Sequence, residues 1–254
     1  MKTITIIAQK GGVGKTTTAA ALGAGLMLYR GARVLFVDLD AQMNLSHTLE
    51  ADTEGGSPSA LDVLTGRSSA GDAIQHTPHG DIIAASPDLA GADALRALSS
   101  TGREYRLREA LKPLSGSYDY CVIDTPPALG ILSINALTAA NKAIIPTEAD
   151  KYSWESVLML QGTLEAVKAY TNRALTVDGV LITKYSRANV TSYFEERLEE
   201  AAEKIGSRLY NVRIRQCVAI KAAQGLEEDI FTYAPKSNAA KDYRALVEEV
   251  APDE

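Results

Sequence analysis

The stretch "IIAQKGGVGKTTTAAAL", residues 6–22, places a glycine-rich loop between two apolar segments. Residues 3–8, "TITIIA", predict a buried parallel strand, and residues 16–29, "TTTAAALGAGLMLY", predict a helix. Strand, glycine loop and helix in this order are the setting in which a loop ending in Gly-Lys-Thr binds phosphate. Because the free N–H groups at the start of such a helix attract negative charge, we expect the loop to bind a nucleotide.

Two side chains of this loop are suited to a nucleotide. Lys15 is expected to reach the β- and γ-phosphate oxygens, and the hydroxyl of Thr16 is expected to ligate Mg²⁺. The usual pattern, G-x-x-x-x-G-K-[ST], would place a glycine at residue 9. This chain has Gln9 there, followed by a second lysine, Lys10. The loop is therefore a variant, and its extra lysine needs an explanation of its own.

Strand-like and helical segments alternate along the rest of the chain, and several of the strands are apolar throughout. This pattern predicts one α/β domain over residues 1–254, a P-loop NTPase whose mostly parallel, twisted sheet has helices on both faces. The predicted strands are 3–8, 33–38, 81–85, 119–124, 143–147 and 177–183, with a short strand near 209–212. The predicted helices are 16–29, 58–65, 88–99, 104–113, 133–140, 153–170, 190–205 and 238–250.

Composition restricts the classes of protein to consider. The chain has 254 residues, of which 46% are hydrophobic, enough for one large core. Its two cysteines, Cys121 and Cys217, are far apart in sequence and indicate a reducing compartment without a disulfide framework. "HTPH", residues 76–79, is interpreted as a loop, since nothing nearby completes a metal site. Lysines interrupt the only early apolar run, so we expect no secretory signal and a cytoplasmic protein.

Acidic residues follow two of the predicted strands. "VDLDAQMNL" places Asp38 and Asp40 at the end of the second strand, and "VIDTPPALG" places Asp124 at the end of another apolar strand. Ligands of open parallel sheets bind at the carboxyl ends of the strands. Asp124 is therefore a candidate for the Mg²⁺ site, and Asp40 for orienting the attacking water. Asp38 is expected to support the metal or the phosphate-loop lysine.

Four stretches together resemble one family. "KGGVGKTTTAAAL", "VLFVDLDAQ", "YCVIDTPPALGILSINAL" and "YAPKSNAAKDYRAL" are similar to the ParA/Soj family of DNA-partition ATPases, which belongs to the deviant P-loop class with MinD and nitrogenase iron protein. The resemblance runs from residue 2 to about residue 250. It implies that Mg-ATP drives formation of a sandwich homodimer and that this dimer binds DNA non-specifically on the nucleoid. It also implies that a ParB-like centromere-binding partner stimulates an otherwise weak ATPase.

The resemblance also implies roles for individual residues. The lysine matching Lys10 reaches across the dimer interface to the partner's phosphates, which explains the second lysine of the loop. Asp40 becomes the hydrolytic residue, Thr17 contacts the α-phosphate, and Asp124 holds Mg²⁺ through water. The implied catalytic set is Lys10, Lys15 and Asp40. The implied nucleotide-binding set is Lys10, Gly11, Gly12, Val13, Gly14, Lys15, Thr16, Thr17, Asp38 and Asp124.

The chain departs from the family pattern in two places. Family members often read "DxDPQGN" after the second strand, where this chain has Ala41 and Met43 in place of the proline and the glycine. We expect this to change the mobility of the loop without removing its catalytic aspartate. The adenine side often carries "IPRN", and the matching stretch here is "IRQC", residues 214–217.

DNA contacts are expected from basic residues in the C-terminal third, where the charge balance is basic although the whole chain has a net charge of −6. The candidates are Arg187, Arg213, Arg215 and Lys221. Arg213 and Arg215 are two residues apart, so on an extended strand they are expected to point to the same side. The alternative patch is Lys236, Lys241 and Arg244.

Two other functions within the same class remain open. A MinD-like membrane-positioning ATPase would need a basic amphipathic C-terminal helix, whereas "RALVEEVAPDE" is acidic, so no stable membrane association is expected. An electron-transfer ATPase like nitrogenase iron protein would need paired cysteines to hold a cluster. The phosphate loop begins near residue 9, so we expect no N-terminal helix-turn-helix and no operator binding.

Overall fold

A computed structural model describes residues 1–94, 101–186 and 192–252. Its strands form one sheet of eight in the order β3-β4-β2-β5-β1-β6-β7-β8. All neighbours in this sheet run parallel except β3 and β4, which are antiparallel. The strands are β1 Lys2–Ile6, β2 Val34–Asp38, β3 Ile74–Thr77, β4 Gly80–Ile83, β5 Tyr120–Asp124, β6 Lys142–Thr147, β7 Thr176–Tyr185 and β8 Leu209–Arg215.

Eleven α-helices are seen in the described residues. They are α1 Lys15–Arg30, α2 Asn44–Thr48, α3 Ala60–Thr65, α4 Arg106–Leu111, α5 Ile131–Ala139, α6 Ser153–Met159, α7 Gln161–Tyr170, α8 Ser192–Lys204, α9 Val218–Gly225, α10 Ile230–Tyr233 and α11 Asn238–Val250. None of the helices in this part of the chain combines the length and the apolar character needed to cross a membrane.

Helices cover both faces of the sheet, which confirms the predicted fold class. Alternate residues of a strand pack on opposite faces of the sheet. In β2, Val34 and Phe36 pack into the core under α1 and α11. Leu35 and Val37 pack into the core beneath α3, α4 and α5. A third cluster lies between β6, β7 and helices α6 to α8. Because these strands are buried on both sides, they are apolar throughout, and this is why the sequence predicted them.

The first helix lies very close to the sheet. A Cβ atom at Gly23 would come within 2.1 Å of the Phe36 ring, and one at Gly25 within 2.6 Å of Val247 on α11. Only glycine permits this approach, so the two glycines of the apolar helix bring α1 down between β2 and α11. The phosphate loop that precedes α1 is positioned by the same packing.

Several predicted elements differ from the observed ones. The "HTPH" stretch is a hairpin between β3 and β4 rather than a simple loop, and β3 escaped prediction because it is a half-exposed edge strand. The predicted helix 153–170 is two helices, since the N–H of Leu160 closes a tighter turn on the carbonyl of Val157. The predicted helix 88–99 is a 3₁₀ helix over Pro87–Ala94, and its remainder, 95–99, lies outside the described residues.

Candidate nucleotide site

The glycine-rich loop connects β1 to α1, as the sequence predicts. Gly12 and Gly14 have φ values of 75° and 84°, a region that other residues rarely adopt. Val13 between them is buried, and its carbonyl accepts a hydrogen bond of 2.8 Å from the hydroxyl of Thr183 on β7. The same hydroxyl also contacts the carbonyl of Thr147 at the end of β6, at 3.1 Å. The loop is therefore fixed to two neighbouring strands.

A cavity of about 670 Å³ opens at the carboxyl ends of the strands, beside this loop. Seven of the predicted nucleotide-binding and catalytic residues line this cavity: Gly11, Gly12, Gly14, Lys15, Thr16, Thr17 and Asp40. The remaining wall comes from residues of α2, β7, β8, α9 and α11 and from loop residues that include Gln42, Pro127 and Cys217. Its position matches the rule that open parallel sheets bind ligands at this edge.

Lys15 is the cation at the centre of the site. Its side chain is largely buried, and its ammonium lies 3.5 Å from the carbonyl of Lys10. Burial lowers the pKa of Lys15, while the nearby carboxylates of Asp124 and Asp40 raise it. A buried ammonium with so few direct partners is well placed to gain from an added anion such as phosphate.

Thr16 and Asp124 come together although they are 108 residues apart, and the Thr16 hydroxyl donates a 2.6 Å hydrogen bond to Oδ2 of Asp124. Asp124 is fully buried. Burial, and next the charge of Asp38 on the adjacent strand, raise the pKa of Asp124 well above its usual value, against the opposing effects of Thr16 and Lys15. A hydroxyl and a carboxylate are the hard oxygen donors that Mg²⁺ prefers, and a cation would relieve this crowding of negative charge.

Thr16 and Asp124 therefore fit a magnesium ion. In the described part of the chain, no group of three or more His, Cys, Asp or Glu side chains could hold a metal ion by itself. That agrees with the usual way Mg²⁺ is held, by one or two protein ligands together with the phosphates of the substrate.

Asp38 and Asp40 face in different directions. Asp38 is fully buried and is absent from the cavity wall, since both of its carboxylate oxygens accept hydrogen bonds from the loop that follows β2. Asp40 lies on the cavity wall, and its Oδ1 accepts a 3.0 Å bond from the N–H of Gln42. The structure thus places Asp40 beside the cavity and Asp38 beneath the loop that carries Asp40.

Comparison with known proteins agrees with this geometry. Residues 1–177 match a family described as AAA domain. The sporulation initiation inhibitor protein Soj of Bacillus subtilis is 36% identical, with 98% of each chain covered. The chromosome partitioning protein ParA of Caulobacter vibrioides is 34% identical over 98% of this chain and 94% of its own.

This chain belongs to the ParA/Soj family.

A solved structure extends the likeness to the whole fold. Cobyrinic acid a,c-diamide synthase from Mycobacterium smegmatis, with a bound ATP analogue and magnesium, superposes with a TM-score of 0.80 and 33% identity. The match covers 98% of this chain and 93% of that one. The ParA/Soj chain thus shares its fold with a protein whose nucleotide and metal were seen bound.

The second lysine of the ParA/Soj loop points away from its own cavity. Lys10 is not part of the cavity wall, and its ammonium lies 2.5 Å from Oδ2 of Asp150 in the loop before α6. Asp150 also accepts hydrogen bonds from the N–H of Tyr152 and the hydroxyl of Ser153, at 3.0 and 2.8 Å. Sequence reasoning missed Asp150, because nothing local pairs it with a lysine 140 residues away.

The "IRQC" stretch, which the family resemblance relates to the adenine side, lies beside the cavity. Ile214, Gln216 and Cys217 of the "IRQC" stretch line the cavity. Gln224 on α9 donates a 2.9 Å bond to the hydroxyl of Thr17, which ties α9 to the start of α1. Apart from Lys221, the residues of α9, Gln224 included, were not singled out in the sequence, since this short helix carries no recognisable motif.

The cysteines have separate surroundings. Cys121 is buried within β5, and burial raises the pKa of its thiol to about 12, so it is an unreactive core residue. Cys217 lies at the cavity wall before α9. The two thiols therefore do not form a paired cluster site.

The expected common orientation of Arg213 and Arg215 is wrong. The guanidinium of Arg213 pairs with Glu195 on α8 at 3.0 Å, whereas that of Arg215 pairs with Asp242 on α11 at 2.6 Å. These helices pack on opposite faces of the sheet. The two-residue alternation itself holds along β8, since Tyr210, Val212 and Ile214 all pack into one core cluster. Arg215 is the last residue of the strand, and its N–H and its guanidinium both bond to Asp242, which turns this side chain toward α11.

The other DNA candidates have different surroundings. Arg187 lies outside the described residues. Lys221 is exposed on α9 and lines the nucleotide cavity. In the alternative patch, Arg244 pairs with Glu248 at 3.3 Å, whereas Lys236 and Lys241 are exposed and form no ion pair within the part of the chain that is described. Lys236 and Lys241 are therefore more available to DNA phosphates than the ion-paired arginines.

Proposed function

We propose that this protein is an ATP-driven DNA-partition ATPase of the cytoplasm. In this proposal Mg-ATP binds in the cavity and drives homodimerisation, and the dimer holds nucleoid DNA without sequence preference. A ParB-like partner then stimulates hydrolysis and release. The observation that carries the proposal is the convergence of Lys15, Thr16 and Asp40 on one cavity, with Asp124 bonded to Thr16 behind the wall, in a chain of this family.

Nucleotide binding follows from the charges around the loop. The N–H groups of residues 11–16 and the ammonium of Lys15 face the phosphates, while Thr16 and Asp124 would hold Mg²⁺. When bound, the metal neutralises charge on the phosphate oxygens. Thr17 contacts the α-phosphate, and the "IRQC" stretch contacts the adenine base.

Hydrolysis is assigned to Asp40. Its carboxylate lies on the cavity wall, and among the described residues only its Oδ1 has a hydrogen-bond partner, the N–H of Gln42. The free oxygen can accept a proton from a water molecule beside the terminal phosphate and so orient that water for attack.

Lys10 is assigned to the dimer. Its side chain turns away from its own cavity onto Asp150, which is consistent with action on the phosphates of a second subunit. A positive charge supplied in this way resembles an arginine finger, worth about 10³- to 10⁵-fold in rate.

Lys10→Ala is expected to spare ATP binding by the monomer and to abolish the stable ATP dimer. The reason is that the charge it removes acts on the other subunit's phosphates. Analytical ultracentrifugation with ATP measures the dimer, and Lys204→Ala, an exposed lysine on α8, is the matched control. In mixed dimers the defect should appear in the intact subunit's site. A defect confined to the mutated subunit would assign Lys10 to its own site.

The test of the proposed function is DNA binding measured without nucleotide, with ADP and with ATP. Binding only with ATP, independent of sequence and falling steeply with salt, is expected. Vesicles of anionic lipid form the second arm, because a MinD-like protein would bind them with ATP instead. Absence of ATP-dependent DNA binding at low salt would refute the partition function.

Lys236→Ala/Lys241→Ala is expected to weaken DNA binding while leaving ATP binding and dimerisation intact. A two-fold dimer would lose up to four phosphate contacts, which flattens the slope of log K against log salt by about 3.6. The comparison variant is Arg213→Ala/Arg215→Ala, which breaks two ion pairs and alters the cavity wall. Should only this second pair flatten the slope, the DNA surface lies on β8.

A further inference from the structure

The side chain of Ser46 on α2 is fully buried behind the nucleotide site. Its hydroxyl donates a 2.8 Å hydrogen bond to Oδ2 of Asp38 and accepts one of 3.0 Å from the N–H of Ala85, just after β4. With one donor and one acceptor role filled, the hydroxyl connects β4 to the carboxylate at the end of β2.

Asp38 joins the two ends of one loop. Its Oδ2 accepts the N–H of Ser46 as well as the hydroxyl, at 2.9 and 2.8 Å, and its Oδ1 accepts the N–H of Asp40 at 3.0 Å. Asp38 itself is held by the sheet, where it pairs with Asp124, and the next N–H, of Leu39, bonds to the Asp124 carbonyl. Both ends of the loop from 40 to 46 are therefore tied to one carboxylate that the sheet fixes.

The loop between these two ties has an unfavourable backbone. Met43 has a φ of 55°, in the left-handed region that is strained for a residue with a side chain. The turn is closed by a 2.8 Å bond from the N–H of Met43 to the carbonyl of Asp40. Gln42 bonds to the Asp40 carboxylate, so the direction of that carboxylate depends on the shape of the turn. A strained turn keeps its shape only where its surroundings hold it.

We propose that Ser46 is a positioning residue for ATP hydrolysis. Its hydroxyl ties β4 to Asp38, Asp38 holds the turn at both ends, and the turn aims the Asp40 carboxylate into the cavity. This inference rests on the proposed function, since it requires Asp40 to act on the attacking water. It assigns to Ser46 no contact with the nucleotide.

The test compares Ser46→Ala with Ser46→Thr and with Thr138→Val. Thr138 on α5 is buried, and its hydroxyl bonds to that of Thr171 at 2.9 Å, outside the cavity, so Thr138→Val also removes one buried hydroxyl. Each variant is assayed for Tm, for the Kd of ATP, and for the rate at which bound ATP is hydrolysed in a single turnover. Wild type and Asp40→Ala are measured beside them.

Ser46→Ala is expected to slow hydrolysis about 10- to 100-fold with the Kd for ATP unchanged, because misplacing a reacting group has effects of this size. Thr138→Val should lower Tm about as much as Ser46→Ala does and leave the rate of hydrolysis unchanged. Ser46→Thr keeps the hydroxyl and should recover most of the rate even where its extra methyl group lowers Tm.

A wild-type rate in Ser46→Ala, with Asp40→Ala inactive, would overturn the positioning role and leave the proposed function standing. So would a Ser46→Thr variant as slow as Ser46→Ala, because packing rather than the hydroxyl would then control the rate. An Asp40→Ala variant that hydrolyses ATP as fast as wild type would instead overturn the catalytic assignment on which this inference rests.

Discussion

Lys15→Ala is expected to weaken ATP binding by about 30- to 5,000-fold and to prevent ATP-dependent dimerisation. Removing one member of a buried charge pair costs on the order of 2–5 kcal/mol, and the phosphates of ATP would lose their central cation. Isothermal titration calorimetry measures the Kd. Because burial lowers the pKa of Lys15, the folded state already disfavours this charge, and the variant is expected to remain folded.

Lys184→Ala is the matched control for this prediction. Lys184 also lines the cavity, but its side chain is about half exposed and its ammonium pairs with Glu148 at 2.8 Å. Its removal should change ATP affinity far less. Equal losses in the two variants would mean that Lys15 has no special place at the phosphates, and normal ATP dimers of Lys15→Ala would refute the assignment of the loop.

Asp40→Ala is expected to bind ATP, form the dimer and fail to hydrolyse. A positioned acid or base contributes about 10²- to 10⁴-fold, and the residues assigned to Mg²⁺, Thr16 and Asp124, are unchanged by this substitution. Single-turnover hydrolysis with quenched samples measures the rate, and sedimentation measures the dimer. The ATP dimer should therefore accumulate and remain on DNA.

Asp40→Asn separates chemistry from loop structure. The amide keeps an oxygen that can accept the N–H of Gln42, so the turn is preserved while the carboxylate charge is lost. The same slow hydrolysis is expected in both variants. If Asp40→Asn were as fast as wild type, the loss in Asp40→Ala would come from a collapsed turn, and Asp40 would have no part in the chemistry.

The elements that the sequence predicted are those that carry their own signal. The apolar runs that became β1, β2, β5 and β6 are covered on both faces, so burial alone explains their composition. Helices α2, α9 and α10 are short, with lengths of five, eight and four residues, and offer too few turns for a periodic pattern. Such helices form because packing and neighbouring loops hold them.

The residues of the candidate site likewise divide into those that the sequence predicted and those that only the fold brings together. Lys15 and Thr16 belong to a contiguous motif, and the flanking strand and helix were enough to predict their setting. Asp124 was predicted from its place at a strand end, since parallel strands bring such residues to one edge. The hydrogen bond between Thr16 and Asp124 is consistent with that reasoning across 108 residues.

The phosphate loop, the parallel fold and the acids at the strand ends could be predicted from the residues alone, because each depends on neighbours in the chain or on strand polarity. Three contacts became visible only in the folded chain. Lys10 pairs with Asp150, and Asp38 accepts a hydrogen bond from the hydroxyl of Ser46. The guanidinium groups of Arg213 and Arg215 bind helices on opposite faces of the sheet. These contacts depend on which strands lie side by side and in what register. An ion pair at the end of a strand and a buried carboxylate whose donors depend on how the next loop folds leave no periodic pattern in the sequence.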